Sequence, residues 1–228
     1  MKIVFLNVWG NEMQDSLIPF LREQAHDTPV FCLQEATSEM KQRSADVFSN
    51  YVEIAHHKYI NDHDIFCQSL FVRKDIEILD SGVLAPDDMD RGLANFVKIK
   101  LNGQEVSICN VHGRARPAEK LDNPERIAFS QSLVDFFKDA TGPVIIGGDF
   151  NILPDTESIQ LFARNGYQDL ISEYAIDTTR NHLAWDRYPT KLYYSDYLFV
   201  SQGLTVNHFS VPKNEISDHL PMLLEVAL

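Results

Sequence analysis

The sequence predicts one α/β domain built on two partly antiparallel sheets, and three observations predict it. Short apolar runs of strand length recur along the 228 residues and alternate with stretches of helical spacing. The middle of the chain, 51–111, is almost wholly strand-like, with Asn102-Gly103 as a two-residue hairpin turn. Hairpins among mixed strands and helices favour this arrangement over a doubly wound parallel sheet. Residues 1–228 are read as a single domain, because no linker, repeat or low-complexity tract divides them.

Taken in order, residues 2–9 (KIVFLNVW) form a buried strand that ends on polar Asn7. Residues 12–26 have helical spacing at Leu17, Phe20, Leu21 and Ala25. Asp15 or Ser16 is the expected cap, which places Pro19 in the first turns. Residues 29–34 are a second buried strand leading to Glu35, and 37–48 return to helical spacing at Met40 and Val47. Strands are expected at 51–56, 65–73, 76–84, 94–101 and 104–111. The clearest helix is 123–139, with Pro124 in its first turn and Ile127, Phe129, Leu133, Phe136 and Phe137 along one side. A strand at 143–147 follows, then a helix at 157–165 stopped by Gly166, and strands near 195–201, 204–211 and 221–227.

Composition excludes several classes. With 44% hydrophobic and 23% charged residues, the chain has enough apolar surface to offset chain entropy, so disorder is excluded as its main state. Every apolar run is far shorter than a membrane span requires. Lys2 and the short run after it do not make a secretory signal. Cys32, Cys67 and Cys109 each lie inside an apolar run and are odd in number, so they read as buried free thiols of a cytoplasmic protein rather than a disulfide framework or zinc ribbon. The net charge of −13 argues against a protein that coats nucleic acid. It does not exclude a nuclease, because a metal and a few arginines can hold one phosphate within a repulsive field.

Polar residues recur where apolar strand runs end: Asn7, Glu35, His112, Asp149 with Asn151, Asp196, and Asp218 with His219. Rigid strands fix such side chains while the adjoining loops open to ligand. In Gly147-Gly148-Asp149-Phe150-Asn151, the glycines allow a sharp turn, and an extended backbone would point Asp149 and Asn151 to one side. That pair suits activation of a water and stabilisation of an oxyanion, though an Asp/Asn turn after a strand has the same composition. In Ser217-Asp218-His219, the acid suits a metal and the imidazole a phosphate oxygen. Asp196 opens an apolar strand and needs a partner; His219 is the natural one, since an acid behind an imidazole fixes its tautomer. Glu35 offers a hard oxygen ligand of the kind Mg²⁺ takes, or else the first acid of a helix. After His112 come Arg114 and Arg116, whose guanidinium forks match phosphate.

Together and in order, Leu6-Asn7-Val8, Gln34-Glu35, Asn110-Val111-His112, Gly148-Asp149-Phe150-Asn151, Ser195-Asp196-Tyr197 and Ser217-Asp218-His219 resemble the motifs of the endonuclease/exonuclease/phosphatase superfamily. This is the group of exonuclease III, deoxyribonuclease I and the neutral sphingomyelinases. The resemblance implies a four-layer α/β (α+β) sandwich, with two mixed β-sheets face to face and helices on the outside. It also implies Mg²⁺-dependent phosphoester hydrolysis; oxygen ligands suit Mn²⁺ as well. On the same basis Glu35 is the principal metal ligand, with Asn7 as the amide beside the metal and Asp218 as a flanking acid on the metal side. Asp149 orients or deprotonates the attacking water, and Asn151 stabilises the oxyanion. Asp196 and His219 are the buried carboxylate–imidazole pair, with His219 on a phosphate oxygen. His112 matches the branch that has histidine here, as in deoxyribonuclease I. Trp9 stands where the apurinic endonuclease branch has an acid, so the resemblance does not extend to a second carboxylate there. The stretches Lys120-Leu121-Asp122 and Thr178-Thr179-Arg180 resemble compact bacterial members. Stabilisation of the leaving oxygen falls to His112, His219 or the metal.

Two windows are locally basic against the acidic whole: 113–126, with Arg114, Arg116, Lys120 and Arg126, and 180–191, with Arg180, Arg187 and Lys191. Arg114, Arg116 and Arg180 are the expected substrate-binding residues. Trp185, Tyr188, Tyr193 and Tyr194 offer base stacking or ordinary core packing. The His- and Asp-rich stretch 56–64 and the turn Asp87-Asp88-Met89-Asp90 read as solvated loops rather than metal sites. The leading expectation is a Mg²⁺-dependent phosphodiesterase, most simply a nuclease on short or locally exposed nucleic acid. A phospholipid head group or a small soluble phosphate is the alternative substrate. A catalytically silent binding scaffold is the alternative class.

Overall fold

Apolar residues on both faces of Lys2–Asn7 (β1) and Val30–Ala36 (β2) demand a sheet covered on two sides. The computed structural model gives that arrangement; it describes residues 1–10, 12–59, 65–84, 92–187 and 191–228, the side chains at 57–59, 65 and 187 excepted. Residues 60–64 of the His/Asp-rich stretch, the turn Asp87–Asp90 and Tyr188 lie outside the described residues, while 56–59 continue a strand rather than a loop.

The remaining elements are α1 (Gln14–Gln24), α2 (Ser38–Arg43), β3 (Tyr51–Tyr59), β4 (Ile65–Arg73), β5 (Glu77–Leu84), β6 (Gly92–Leu101), β7 (Gln104–Gly113), α3 (Pro124–Phe137), β8 (Val144–Asp149), α4 (Glu157–Arg164), β9 (Tyr167–Asp169), α5 (Leu170–Glu173), α6 (His182–Arg187), β10 (Asp196–Ser201), β11 (Val206–Ser210) and β12 (Met222–Val226). They build two mixed six-stranded sheets, ordered β3-β4-β2-β1-β12-β11 and β9-β10-β8-β7-β6-β5. Read in that direction, both sheets have the same pattern: one parallel pair in the middle, β1/β2 or β7/β8, with antiparallel strands on either side. The carboxyl ends of each parallel pair lie at one edge, which is where such sheets place ligands.

The sheets face each other, β1 towards β8 and β2 towards β7. Ile3, Phe5, Val30, Cys32 and Leu70 point into the shared core with Val106, Ile108 and Ile145, while Val4, Leu6, Phe31 and Leu33 point out to Leu17, Leu21 and Met40 of α1 and α2. On the far side, Phe129, Leu133, Val134 and Phe137 of α3 cover the second sheet. Four layers result, with helices outside. Gly147 marks the closest approach of the sheets, since a Cβ there would lie 3.0 Å from Phe5 Cε1 and closer still to Leu198. Gly148 has φ 131°, and its Cβ would collide with the Val111 carbonyl.

Near the ligand-bearing edge the inter-sheet core becomes polar. Gln34, Gln68, Asn95 and Asn110 are all fully buried. Gln34 Nε2 donates to Asn110 Oδ1 across the gap, and Asn110 Nδ2 donates to the Leu33 and Ser69 carbonyls, 3.3 Å each. Gln68 Nε2 donates to the Asn110 carbonyl, and Asn95 Nδ2 donates to the Ile54 carbonyl at 2.8 Å and the Gln68 carbonyl at 3.2 Å. These are side-chain hydrogen bonds between sheets, the kind that fix one spacing rather than a range.

Several elements differ from the sequence reading. α1 starts at Gln14 with Met13 before it, not at an Asp15 or Ser16 cap, and Pro19 lies inside the helix. α2 is one short stretch capped by Thr37, not a helix to 48. Phe136 is not on the buried stripe of α3; it is 47% exposed and lies against Phe96 and Phe137. β9, α5 and α6 are too short for periodicity to reveal. The Asn102-Gly103 turn is as expected, with φ of 51° and 82°.

Replacing Asn110 by Leu strands the Gln34 amide and two carbonyls, so it is expected to lower urea-unfolding stability by about 2–3 kcal/mol at unchanged m-value. A change below about 0.5 kcal/mol, the range of surface substitutions, would show that the amide ties carry no weight.

Candidate active site

The ends of the two parallel pairs bring the site together. Asn7 ends β1, Glu35 lies near the end of β2, His112 lies near the end of β7, and Asp149 ends β8. β10 runs antiparallel to β8, with Asp196 opposite Asp149, so its first residue joins the same edge. The segment 217–219 precedes β12, which is antiparallel to β1. It is pinned by Ser217 Oγ donating to the Asn7 carbonyl at 2.7 Å and by an antiparallel bridge between Arg180 and His219.

Local backbone makes the placement specific. Among the described non-glycine residues, Trp9, Glu35, Asn102, Lys120, Asn151 and Ala175 have positive φ, and four of these six lie in or beside the site. Each such residue costs on the order of 1 kcal/mol or more, so the surrounding contacts must hold it. Glu35 is aimed by a bulge in the β2–β4 pairing between Leu33 and Ala36. Asn151, at φ 57°, is not in the extended backbone expected from its spacing to Asp149. Its amide N–H bonds Asp149 Oδ1 at 2.8 Å and the Ser195 carbonyl at 3.1 Å, which turns the two side chains together.

Asp149 is the hub. Its Oδ2 accepts from Asn7 Nδ2 and Asn151 Nδ2, 3.0 Å each, and His219 Nε2 lies 3.8 Å away. Asn7 Nδ2 also reaches Glu35 Oε1 at 3.2 Å, while its Oδ1 accepts the Trp9 N–H at 3.0 Å. Asn7 therefore presents its NH₂ to the two carboxylates and sets their spacing. His112 Nε2 is 3.5 Å from Glu35 Oε1. His219 Nδ1 donates to Asp196, 2.9 Å to Oδ2, and Ser195 Oγ lies at 3.2 Å from the same oxygen. Thr179 Oγ1 accepts the N–H groups of Ser195 and Asp196. Arg180 Nη2 donates to Asp218 Oδ2, which leaves Asp218 Oδ1 buried without a hydrogen-bond partner. Only Glu35 opens appreciably to solvent, its side chain 21% exposed.

The electrostatics follow from that crowding. Burial raises the Asp149 carboxyl, but the charges of His219, Lys120, His112 and Arg180 outweigh it and hold the group below the ordinary carboxylate range. Burial likewise raises Glu35; His219 and the Asn7 bond oppose it, the neighbouring Asp149 and Asp218 add to it, and the net shift is upward. Burial would lower the His219 imidazole, yet Asp196, Asp218 and Asp149 push it up to about 9. Asp196 is itself raised by burial, against the pull of the imidazolium.

A divalent cation fits the residues present. Single donor atoms of Glu35, His112 and Asp149 lie within 4.8 Å of one another, and Asp218 Oδ1, buried without a hydrogen bond, has His219 Nε2 at 3.7 Å. Oxygen donors of this kind suit hard cations, and a positive charge there would relieve Glu35. Asp149, Asp196 and His219 form a second such group, explained by the carboxylate–imidazole hydrogen bonds already described.

The structure thus brings together Asn7, Glu35, His112, Asp149, Asn151, Asp196, Asp218, His219 and, through Asp218, Arg180. It does not bring in Arg114, which lies 3.7 Å from Glu125 at the start of α3, or Arg116, which is exposed. Trp185 packs edge-on against Tyr193, and Tyr194 donates to the Ile176 carbonyl. The sequence reading missed Lys120 as a site residue: it is buried and its Nζ donates to Asn151 Oδ1. Its place in a basic window and in the stretch Lys120-Leu121-Asp122 hinted at it. Thr179 and Ser217 lie in stretches the sequence reading quotes, but their own roles are contacts between distant segments that local sequence does not reveal.

The family profile described as Endonuclease/Exonuclease/phosphatase family matches residues 4–219. Solved structures share the fold across the whole chain. An endonuclease/exonuclease/phosphatase from Bacteroides vulgatus has a TM-score of 0.80 at 21% identity, covering 100% of this chain and 98% of that one. A mannosyl-6-phosphatase from Bacteroides thetaiotaomicron has 0.75 at 19%, covering 100% of both. D. rerio TDP2 complexed with single-strand DNA product has 0.76 at 16%, covering 100% and 99%. A search of curated proteins gave no match.

In the metal-free protein, the His219 imidazole is expected to titrate near pH 9 by NMR, and Asp196→Asn is expected to lower that midpoint. The folded value lies above the ordinary 6.5, so the stabilisation from imidazolium formation is complete below about pH 6.5 and fades as pH rises through about 9. A midpoint at or below 6.5 would remove the imidazolium from the site.

Proposed function

Since the chain belongs to the endonuclease/exonuclease/phosphatase family, whose members are metal-dependent phosphoester hydrolases, we propose that this site hydrolyses a projecting phosphate ester with Mg²⁺ as its metal. The observation that carries the reading is the meeting of Glu35, His112 and Asp149 within ligand distance of one cation. Glu35 would be the principal ligand, with Asp218 as a flanking acid on the metal side. Bound Mg²⁺ supplies Lewis-acid neutralisation of phosphoryl charge. Asp149, held ionised, accepts the proton of the attacking water. Asn7 keeps the two carboxylates apart by donating to both. His219 Nε2 supplies a donor to the phosphoryl oxygens, while Asn151 Nδ2 orients the Asp149 carboxylate. His219 carries its proton through neutral pH, so its Nε2–H can be donated to a phosphoryl or leaving oxygen.

The substrate class follows from access and charge. All the reacting groups except Glu35 are almost fully buried, so a phosphate must project to reach them. The charge of −13 repels a polyanion, and the site cation Arg180 is buried with Lys120 rather than laid along a surface track. A small soluble phosphoester, or the end of a short strand, meets both conditions. Arg114 and Arg116, on the loop that leaves His112, favour a nuclease acting on short single strands as the second reading. The three buried free cysteines favour a reducing, cytoplasmic setting, and residues 1–228 are read as one catalytic domain.

Hydrolysis of p-nitrophenyl phosphate, bis-p-nitrophenyl phosphate, sugar phosphates and a short single-stranded DNA tests this in one panel. Activity with Mg²⁺ is expected to vanish with chelator, and Asp149→Asn is expected to lower kcat by about 10³-fold. Preference for small phosphates over DNA supports the first reading, and the reverse supports the second. Chelator-insensitive hydrolysis, or an Asp149→Asn variant as active as wild type, would defeat both readings, and hydrolysis of none of the substrates would leave the silent scaffold.

A further inference from the structure

The loop between β7 and α3 is exposed from Ala115 to Glu119 and again at Leu121, yet Lys120 between them is buried. A lone lysine is rarely buried, because its charge must give up water. Here burial does lower its proton affinity, with Arg180 and Arg126 adding to that and Asp149 and Asp196 opposing it. Its backbone is also left-handed, at φ 58°.

Four anchors hold this unfavourable residue in place. The Arg126 guanidinium, itself buried, sits inside the loop and donates to the carbonyls of Arg114, Pro117 and Leu121. Asp122 turns the other way and accepts from the N–H groups of Glu157 and Ser158 at the start of α4. Asn123 caps α3 through the Arg126 N–H at 2.9 Å. Finally, the Lys120 carbonyl accepts the Leu153 N–H at 2.9 Å, which ties the loop to the segment just after Asn151. The product of this scaffolding is one ammonium placed against Asn151 Oδ1.

We propose that Lys120 is a positioning residue of the hydrolytic site, its ammonium holding the Asn151 amide so that the NH₂ end faces Asp149. An ammonium has donors only, so it accepts no orientation of Asn151 except oxygen towards itself. The Nδ2 end must then face the Asp149 carboxylate at 3.0 Å and the Gly113 carbonyl at 3.2 Å. Without Lys120, Asn151 Oδ1 is a buried acceptor with no donor, and the amide is free to tilt away from the Asp149 carboxylate it orients. The ammonium also polarises the amide and strengthens its N–H donors. This assignment rests on the reading that Asp149 and Asn151 serve the reaction.

Lys120→Ala, Lys120→Met and Asn151→Ala, alone and combined, test it against the panel substrate the wild type hydrolyses fastest. Lys120→Met is expected to lower kcat about 10²-fold with KM changed less than about 3-fold. Added propylammonium is expected to restore part of the activity of Lys120→Ala and to leave Lys120→Met and wild type unchanged. In the Asn151→Ala background, removing Lys120 is expected to cost less than about 3-fold, because the two residues act as a unit. Losses that multiply across the cycle, or a Lys120→Met variant equal to wild type, would overturn the proposal; a KM effect alone would instead make Lys120 a substrate ligand. The Asn151 side-chain NH₂ resonances supply a readout that needs no activity. Their slow hydrogen exchange in wild type is expected to become fast in Lys120→Met, and unchanged exchange would refute the positioning role. A protein without metal-dependent hydrolysis would defeat the functional reading, while this exchange measurement would still decide whether Lys120 holds Asn151.

Discussion

The distance between the two sheets is the constraint on which the rest of this protein depends. Asn7 and Glu35 stand on one sheet, while His112, Asp149, Asn151 and Asp196 stand on the other or on its loops. The bond from Asn7 to Asp149 is 3.0 Å, a length that a shift of half an ångström between sheets would break. Apolar packing alone is poor at holding such a tolerance, because cores repack at modest cost. Two features tighten it here. Gly147 lets Phe5 and Leu198 approach closely just behind the site. The Gln34–Asn110 bond, one residue behind Glu35 and two behind His112, then measures the gap in hydrogen-bond lengths. Three amide oxygens in that layer, of Gln34, Gln68 and Asn95, are left without partners. The layer therefore costs stability, which is consistent with specificity of spacing being its role.

Charge sets the second condition. Four carboxylates, Glu35, Asp149, Asp196 and Asp218, are packed where most of the side chains see no water. Their mutual repulsion is offset locally: Arg180 on Asp218, the imidazolium of His219 on Asp196, and Lys120 near Asp149. Asp149 benefits most and stays ionised. Glu35 benefits least and is raised, although it is the carboxylate nearest solvent. The arrangement thus leaves one unmet demand for positive charge, at the open end of the site, where a cation enters from water. An acidic protein can accept an anionic substrate on these terms, because the compensating charges sit inside the site and overall repulsion is screened beyond about 8–10 Å.

Most of this was legible before the fold was known. Strand ends gave away Asn7, Glu35, His112, Asp149, Asp196 and His219, because a polar residue that closes an apolar run has few reasons to be there. Gly147-Gly148 suggest a sharp turn after the strand, but both lie inside β8, where they admit Phe5, Leu198 and the Val111 carbonyl; the left-handed turn comes at Asn151, which periodicity does not report. Pro19 misled: it argued for a later start to α1, and packing of Leu17 and Leu21 on Val4 and Leu6 overrode it. Phe136 was counted as core because aromatics usually are; the α3 stripe is served by Val134 instead. Arg114 and Arg116 attracted attention by composition, whereas the cation that reaches the site from that loop is Lys120. No local pattern separates them, because burial of Lys120 is decided by Arg126, Asp122 and Leu153, none of which a window around it would single out.

That contrast locates what is individual about the chain. The strand-end residues are set by the sandwich itself, and the same sandwich, at 16–21% identity, carries a mannosyl-6-phosphatase and a TDP2 that binds single-strand DNA product. A fold shared by such different proteins cannot choose between their substrates. The choice has to lie in the segments that the sandwich does not dictate. Two of them reach the site here: the β7–α3 loop, which delivers Lys120, and the 178–181 segment, which delivers Arg180 and Thr179. Both place their polar groups inward and buried, rather than outward along a surface. A cation sunk beside the reacting groups favours a single phosphate brought to it over a backbone that must be tracked, since tracking needs charges spaced along the path. The interior placement of Lys120 and Arg180 is therefore the physical reason to look first among small phosphoesters.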